Sequence, residues 1–293
     1  MLRIALPNKG RLSEDTRALF TDAGLDVRSS GDRALTASLG GEFEAIFVRA
    51  QDIPEFVADG AADAGVTGWD LVTESGRALV SHLDLAFGRC RLVVAVRDDA
   101  GIDSVDAIGA AGQPPARVAT VFPGITERFF ARRGRSVEIV PVSGAAEIAP
   151  HLGIADIVVD LTSTGSTLRV NGLRELETVL ESTAHLITVE GGPRQGNPDR
   201  RRELDELVTA LASVIRARGQ RYLMANVPRA ALDRVRTILP GLNGPTVIDI
   251  ADHGQFVAVH AVVAATQVYR TIGQLRALGG EGILVTRIER LVP

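Results

Sequence analysis

Lysine is all but missing from this chain: of 32 basic residues only one, Lys9, is not an arginine. Beside abundant Ala, Gly, Val and Arg, this reads as a compositional drift in which arginine replaces lysine wherever the chemistry permits. Position 9 is therefore either chance or a place that needs a compact ammonium. Cysteine is equally scarce. Cys90 stands alone, which excludes an internal disulfide, and neither it nor the five histidines (His82, His151, His185, His253, His260) show the spacing of a zinc site. Cys90 reads as a small buried residue. The one tryptophan, Trp69, reads as a core anchor rather than a stacking platform. No apolar run approaches the roughly 18 residues needed to span a bilayer, and "MLRIALPNKG" lacks the apolar segment and cleavage site of a signal peptide. A cytoplasmic location and no membrane partner are expected. The formal net charge of −4 argues against coating nucleic acid, so small molecules are the expected partners. Three familiar frames are also lacking: the GxxxxGK[ST] loop, a strand-linked GxGxxG, and the GxSxG nucleophile turn.

What is present is enough apolar material, 45% of 293 residues, for two or three cores. "LRIALP" (2–7) reads as a buried strand, "NKG" as a turn, and "LSEDTRALFTDAG" as a helix with Ser13 at its N-cap and Gly24 as its stop. "FEAIFV" (43–48) reads as a second strand, with a turn and short helix through "RAQDIPEFVADG". The strands "RLVVAV", "RVATV", "VEIVPV" and "DIVVDL" then alternate with helices through "ITERFFARRG" and "AAEIAPHLG". That alternation predicts α/β units on mainly parallel sheets. "GGPRQGNPDRR" (191–201) reads as a loop before a long amphipathic helix through "ELDELVTALASVIRARG", which looks like a domain edge. Beyond it, "RYLMANV", "PRAALDRVRTILPG", "PTVIDIA", "QFVAVHAVV", "AATQVYRTIGQLRALGG" and "GILVTRIERLV" give the order βαββαβ, a ferredoxin-like module.

The chemistry concentrates in "GIADIVVDLTSTGSTLRVNG" (153–172). Asp156 opens a strand and Asp160 nearly closes it, so a regular strand points both to one face. Thr162, Ser163, Thr164, Gly165, Ser166 and Thr167 follow, a turn rich in hydroxyls and backbone N–H groups that suits a phosphate. Acids before a phosphate loop fit a ribose 5-phosphate. A well-capped helix start with merely solvated acids fits the same spacing. In "GVTGWD", Gly68 allows close backbone approach with Asp70 beside it, and Arg49 follows a buried strand at a position suited to enter a cleft. A lone arginine there is equally a solvated surface charge.

Together "LPNKGRL", "RAQDIPEFV", "GVTGWDLV", "RVATVFPGIT", "GIADIVVDLTSTGSTLRVNGL", "YLMANVPRAAL" and "GILVTRIERLV" resemble, over nearly the whole chain, the long form of ATP phosphoribosyltransferase, the first enzyme of histidine biosynthesis. The resemblance implies a two-domain periplasmic-binding-protein-like (type II) α/β core whose chain crosses twice, followed by the ferredoxin-like domain. Domain I would be 1–92 with 179–211, domain II 93–178, and a histidine-binding regulatory domain 212–293. The implied reaction moves phosphoribosyl from phosphoribosyl diphosphate to N1 of ATP, with Mg²⁺, in a homo-oligomer that moves between dimer and hexamer. Mg²⁺ would be carried mainly by the substrate phosphates.

By the same resemblance, the loop from Thr162 to Thr167 would hold the 5-phosphate and Asp156 and Asp160 the ribose hydroxyls. Lys9, Arg11 and Arg49 would neutralise polyphosphate, Gly68 and Asp70 would help place ATP, and Asn226, Thr246 and the backbone near Gly282 would meet the inhibitor L-histidine, with Asp249 or Asp252 as candidates for its amino group. Two departures stand out: some relatives have aspartate where Asn226 stands, and Gly124 in "FPGIT" occupies a position commonly Asn. The same cleft fold also serves solute receptors and effector domains of transcription regulators. The absent signal peptide and absent helix-turn-helix oppose those readings. Another phosphoribosyltransferase acting on a different base would lack "PNKGRL" and the βαββαβ tail.

Overall fold

The computed structural model describes residues 1–293 apart from 29–33, 111, 113, 193–196, 252, 253 and 293. The chain divides into two units between Val208 and Thr209.

The first unit runs β1 (Arg3–Pro7), α1 (Arg11–Asp22), β2 (Val27–Arg28), β3 (Thr36–Leu39), β4 (Phe43–Val48), α2 (Ile53–Ala58), β5 (Ala64–Gly68), α3 (Trp69–Ser75) and β6 (Leu79–Asp84). It continues through β7 (Cys90–Arg97), β8 (Ala116–Thr120), α4 (Pro123–Arg132), β9 (Val137–Pro141), β10 (Ile157–Thr162), α5 (Ser166–Val170), β11 (Leu173–Ser182) and β12 (Ala184–Val189) into α6 (Pro198–Ala217), which runs through the boundary. Among the described residues its strands form two sheets: β2-β3-β4-β1-β5-β12-β6 in a first lobe and β11-β7-β10-β8-β9 in a second.

Both lobes follow one plan. Parallel strands β4-β1-β5 and β9-β8-β10 are each extended by an antiparallel strand next to a chain crossing, β12 and β7, and then by an edge strand, β6 and β11. This order, with its two crossings, is the periplasmic-binding-protein-like (type II) core that the sequence leads one to expect.

Burial explains why β7 reads as a continuous apolar run: both its faces are covered. Leu92, Val94 and Val96 pack with Phe122, Phe129, Phe130 and Val159, while Val93 and Ala95 pack with Val158, Leu168 and Leu173. In the first lobe Ala5, Ile53, Val57 and Ile187 form the corresponding cluster.

Local structure departs from the sequence reading in several respects. α1 begins at Arg11, so Ser13 lies buried in the first turn and Gly10 is the cap. The segment "AAEIAPHLG" forms only a 3₁₀ turn, Ala146–Ile148, because Pro150 has no N–H to return to Ala146. α6 starts at Pro198, inside the stretch read as loop, with proline at a first-turn position where its missing N–H costs nothing. Strands β2, β3, β6, β11 and β12 are absent from the sequence reading. In β11 two register shifts break the alternation that would have marked a strand.

The second unit contains β13 (Gln220–Pro228), α7 (Leu232–Ile238), β14 (Thr246–Asp249), β15 (Phe256–Ala264), α8 (Val268–Ala277) and β16 (Glu281–Arg287). The order is βαββαβ and the sheet, among the described residues, is β14-β15-β13-β16, antiparallel throughout. Leu223, Ala225 and Val227 join Val257, Val259 and Ala261 under Val235 and Leu275 from the two helices. The ferredoxin-like arrangement is therefore present.

Candidate active site

The register of the first sheet gathers its candidate residues at one end. Pro7 pairs with Val48, and the Asn8 N–H extends that ladder to the Val48 carbonyl at 2.8 Å. Lys9 and Arg49, both exposed, therefore follow adjacent parallel strands at the same edge. β5 is parallel to β1 with Ala5 opposite Gly65, which brings Gly68 to that edge too. The turn into α1 needs a glycine: Gly10 has φ 83° and ψ −178°, a region closed to side chains, although a Cβ there would meet nothing within 4 Å.

Arg11 links the lobes. Its Nη1 donates to the Ser163 hydroxyl at 2.9 Å and its Nη2 to the Gly88 carbonyl at 3.2 Å. Beside it lies Cys90, whose thiol is pushed up by burial and by the Asp70 carboxylate, against the pull of Arg11. Asp70 is buried, accepts a 2.5 Å hydrogen bond from the Ser182 hydroxyl and donates its own N–H back to it at 2.9 Å. A Cβ at Gly68 would lie 2.3 Å from Asp70 Oδ1. The room left by Gly68 is thus filled by Asp70, and Asp70 is spent on holding the last residue of β11. In this arrangement Gly68 and Asp70 shape the strand end. Trp69 packs its ring on His185 with centroids 5.0 Å apart, as a core anchor.

In the Ser/Thr loop, internal and free groups separate. Thr162 is buried and its hydroxyl accepts the Gly165 N–H at 2.7 Å, while Gly165, at φ 73°, caps the five-residue α5. These two residues shape the turn. Ser163, Thr164, Ser166 and Thr167 are exposed, with the Thr164 and Ser166 hydroxyls 2.9 Å apart. Behind them a cavity of about 620 Å³ is lined by Thr164, Gly165, Leu168, Arg91, Arg169 and Glu175, among others. A Cβ at Gly165 would meet Glu175 Oε1 at 2.4 Å and Arg169 Nη1 at 2.9 Å, and Glu175 is ion-paired with Arg91 at 3.0 Å. Sequence reasoning missed these three charges. Arg169 was findable, since it lies one helical turn after Gly165. Arg91 and Glu175 come from strands, and nothing in their spacing points to the loop.

The two acids of β10 part company. Asp160 is half-buried at the loop end and shares a face with Val93 and Val158. Burial pushes its carboxyl up, the Leu161 N–H at 2.7 Å opposes this, and Glu147 adds to the rise. Asp156 precedes the strand at its other end. Its carboxylate takes the Arg117 N–H at 2.8 Å and the Arg117 guanidinium at 2.9 Å, which hold it below the usual carboxylate range. A strand's length separates Asp156 from the loop, and its partner is Arg117.

In the second unit Asn226 and Gly282 are neighbours on adjacent strands, a Cβ at Gly282 lying 3.1 Å from Asn226 Nδ2. Thr246 is exposed on the edge strand β14, paired with His260, two strands from Asn226. Asp249 is ion-paired with Arg229. Asp252 lies outside the described residues.

Two family models match in tandem: ATP phosphoribosyltransferase over residues 49–213 and its C-terminal domain over residues 217–290. An ATP phosphoribosyltransferase of Gemmatimonas aurantiaca is 80% identical over 293 residues, covering all of both chains. One from Natronomonas pharaonis is 47% identical, again over the full length of both. The solved ATP phosphoribosyl transferase (HisG:HisZ) complex from Thermotoga maritima aligns at TM-score 0.62 and 28% identity, over 73% of this chain and 98% of that one. No helix among the described residues is long and apolar enough to cross a membrane. Catalytic core and C-terminal module are thus matched in order and over their length, and the chain belongs to the ATP phosphoribosyltransferase family, transferases of histidine biosynthesis, in the long form that carries the C-terminal domain.

Proposed function

We propose that this enzyme transfers the phosphoribosyl group of 5-phosphoribosyl 1-diphosphate to N1 of the adenine of ATP, releasing diphosphate, and that L-histidine inhibits it through the second unit. The observation that carries this reading is the Arg11–Ser163 hydrogen bond, which ties the cationic edge of the first lobe to the Ser/Thr loop of the second. Four exposed hydroxyl residues, Ser163, Thr164, Ser166 and Thr167, suit a 5-phosphate, with Thr162 and Gly165 shaping their turn. Asp160 suits the ribose hydroxyls. Lys9, Arg11 and Arg49 suit the diphosphate and triphosphate, and Arg91 and Arg169 add positive charge behind the loop.

The charges dictate the mechanism. As the bond from ribose C1 to diphosphate breaks, the ring becomes cationic and the leaving group gains negative charge, so fixed cations next to the leaving oxygens lower the barrier. A carboxylate at Asp160 matches the cationic sugar. No covalent enzyme intermediate is needed, and holding N1 in line with C1 supplies much of the rate. Among the described residues no three His, Cys, Asp or Glu side chains converge as a metal site. Mg²⁺ belongs to the substrates, where it neutralises their phosphates.

The domains divide the work accordingly: 1–92 with 179–211 on the ATP side, 93–178 on the phosphoribosyl side, and 212–293 as the histidine sensor, with Asn226, Thr246 and the backbone at Gly282 as its contacts. The working form is a homo-oligomer, dimer or hexamer, and use of ATP suits the cytoplasm. Purified protein mixed with ATP, phosphoribosyl diphosphate and Mg²⁺ should release diphosphate and change the ultraviolet spectrum of the adenine. Lack of turnover would overturn the catalytic reading, and turnover indifferent to L-histidine would overturn the regulatory one.

A further inference from the structure

Glu74, in the last turn of α3, reaches from the first lobe to the second. Its Oε1 accepts the Gly124 N–H at 2.8 Å and its Oε2 the Ile125 N–H at 2.9 Å, both in the first turn of α4. A helix leaves its first N–H groups without internal partners and carries partial positive charge there, so a carboxylate is a well-matched cap. The reverse contact is also made: Arg128 of α4 donates from Nη2 to the Thr73 carbonyl at 2.6 Å, near the end of α3, where carbonyls lack internal partners. Each helix thus caps the end of the other across the two lobes.

Gly124 gives the pair its room. A Cβ at that position would lie 3.1 Å from Arg128 Nη1 and 3.2 Å from Glu74 Oε1, closer than ordinary contact, although the backbone there does not require glycine. At its other end α3 is fastened to the chain crossing between the lobes, through Asp70 and Ser182 at the end of β11. α3 is therefore fixed at both ends, to the crossing at one and to α4 of the second lobe at the other, and Glu74 carries the fastening to α4.

Resting on the assignment of the two substrates to opposite lobes, we infer that Glu74 is a positioning residue: it holds the lobes at the mutual angle at which both substrates bind. Loosening it lowers the fraction of molecules in the binding-competent arrangement, and apparent affinity falls by that fraction for every ligand that needs both lobes. The signature is a common factor on two KM values. A contact made to one substrate would move only that substrate's KM.

The test uses the full-length enzyme, with Glu74→Gln, which keeps one acceptor oxygen, Glu74→Ala, which keeps none, and Gly124→Ala, which crowds the contact. Glu127→Gln, an exposed acid on α4, is the control. KM for ATP and for phosphoribosyl diphosphate should rise together, about three- to ten-fold in Glu74→Gln and further in Glu74→Ala, with kcat within about twofold. The urea midpoint should stay close to that of the wild type and the Ile125 amide should exchange faster with deuterium, Gly124→Ala falling between wild type and Glu74→Gln and the control matching wild type. Unchanged KM values, a rise for one substrate only, or losses that track a fall in the urea midpoint would overturn the inference. Absence of turnover in the wild type would count against the proposed reaction instead. In that case faster Ile125 exchange in Glu74→Gln would uphold the cap, and unchanged exchange would overturn it.

Discussion

Arg11 Nη1 and Ser163 Oγ lie 2.9 Å apart, joining the first residue of α1 to the loop that ends β10. The same guanidinium holds the Gly88 carbonyl just before β7, so one side chain touches the first lobe, the crossing and the loop. Removing it should cost more than a single substrate contact. Arg11→Ala should lower kcat/KM by about ten- to a hundredfold, the range for a charged hydrogen bond. Arg11→Lys, which keeps the charge and cannot span both acceptors, should fall between. Steady-state kinetics within twofold of wild type would remove Arg11 from the site.

Lys9 sits between Asn8, pinned to the Val48 carbonyl, and Gly10, whose backbone only glycine adopts readily. The turn therefore has little freedom to adjust to a larger head group. Lys9→Arg should keep the charge and the fold yet lose on the order of tenfold in kcat/KM, because a planar fork cannot follow a polyphosphate from that point as a compact ammonium does. Full activity in the variant would return the lone lysine to chance.

Asp160 and Asp156 make opposite predictions. Burial raises the Asp160 carboxyl, so between the ordinary carboxylate value and the raised one the native state holds more protons than the unfolded state. Its contribution to stability falls as pH rises through that interval and stays low above it. Asp160→Asn should therefore melt at or above the wild-type temperature at neutral pH while binding phosphoribosyl diphosphate more weakly. Calorimetry and titration on one sample check both. A variant that binds normally would take Asp160 out of the site.

For Asp156 the sign reverses. Arg117 holds its carboxyl low, so the pair contributes stability above the ordinary carboxylate value and loses it as pH falls through the lowered one. The side chains are 40% and 45% exposed, which keeps the effect small. Asp156→Asn should melt slightly lower and keep its substrate KM within about twofold. A large KM change would instead make Asp156 a ribose contact.

In the second unit, Gly282 has φ 57° and its missing Cβ leaves Asn226 Nδ2 accessible. Gly282→Ala should cost about 1 kcal/mol of backbone strain and blunt inhibition by L-histidine, with the uninhibited rate unchanged. Asn226→Ala should blunt it without the strain. Equal inhibition curves for both variants and wild type would move the histidine site elsewhere.

Strand–helix alternation and the βαββαβ tail were legible in the sequence because their apolar runs are buried on both faces or alternate cleanly. β11 was not, because its bulges and charged, half-buried face hide the period. The Ser/Thr loop was legible as composition, but the division of labour within it was not: that Thr162 and Gly165 bond to each other depends on a turn no residue count specifies. For Asp156, a spacing of four says which face a side chain takes and nothing about which end of the strand meets the ligand. The partner of Asp70, Ser182, is distant in sequence and arrives only through the fold.

The strand plan of the two lobes also governs the order in which they can be completed. β7 through β11 are contiguous in sequence, so the second sheet needs nothing from outside itself. The first sheet needs β12, because β6 bonds to the sheet through β12 and β5 uses it as a neighbour. During synthesis the lobe that emerges first is therefore the one that finishes last, waiting with an open edge on β5 until Ala184–Val189 has left the ribosome.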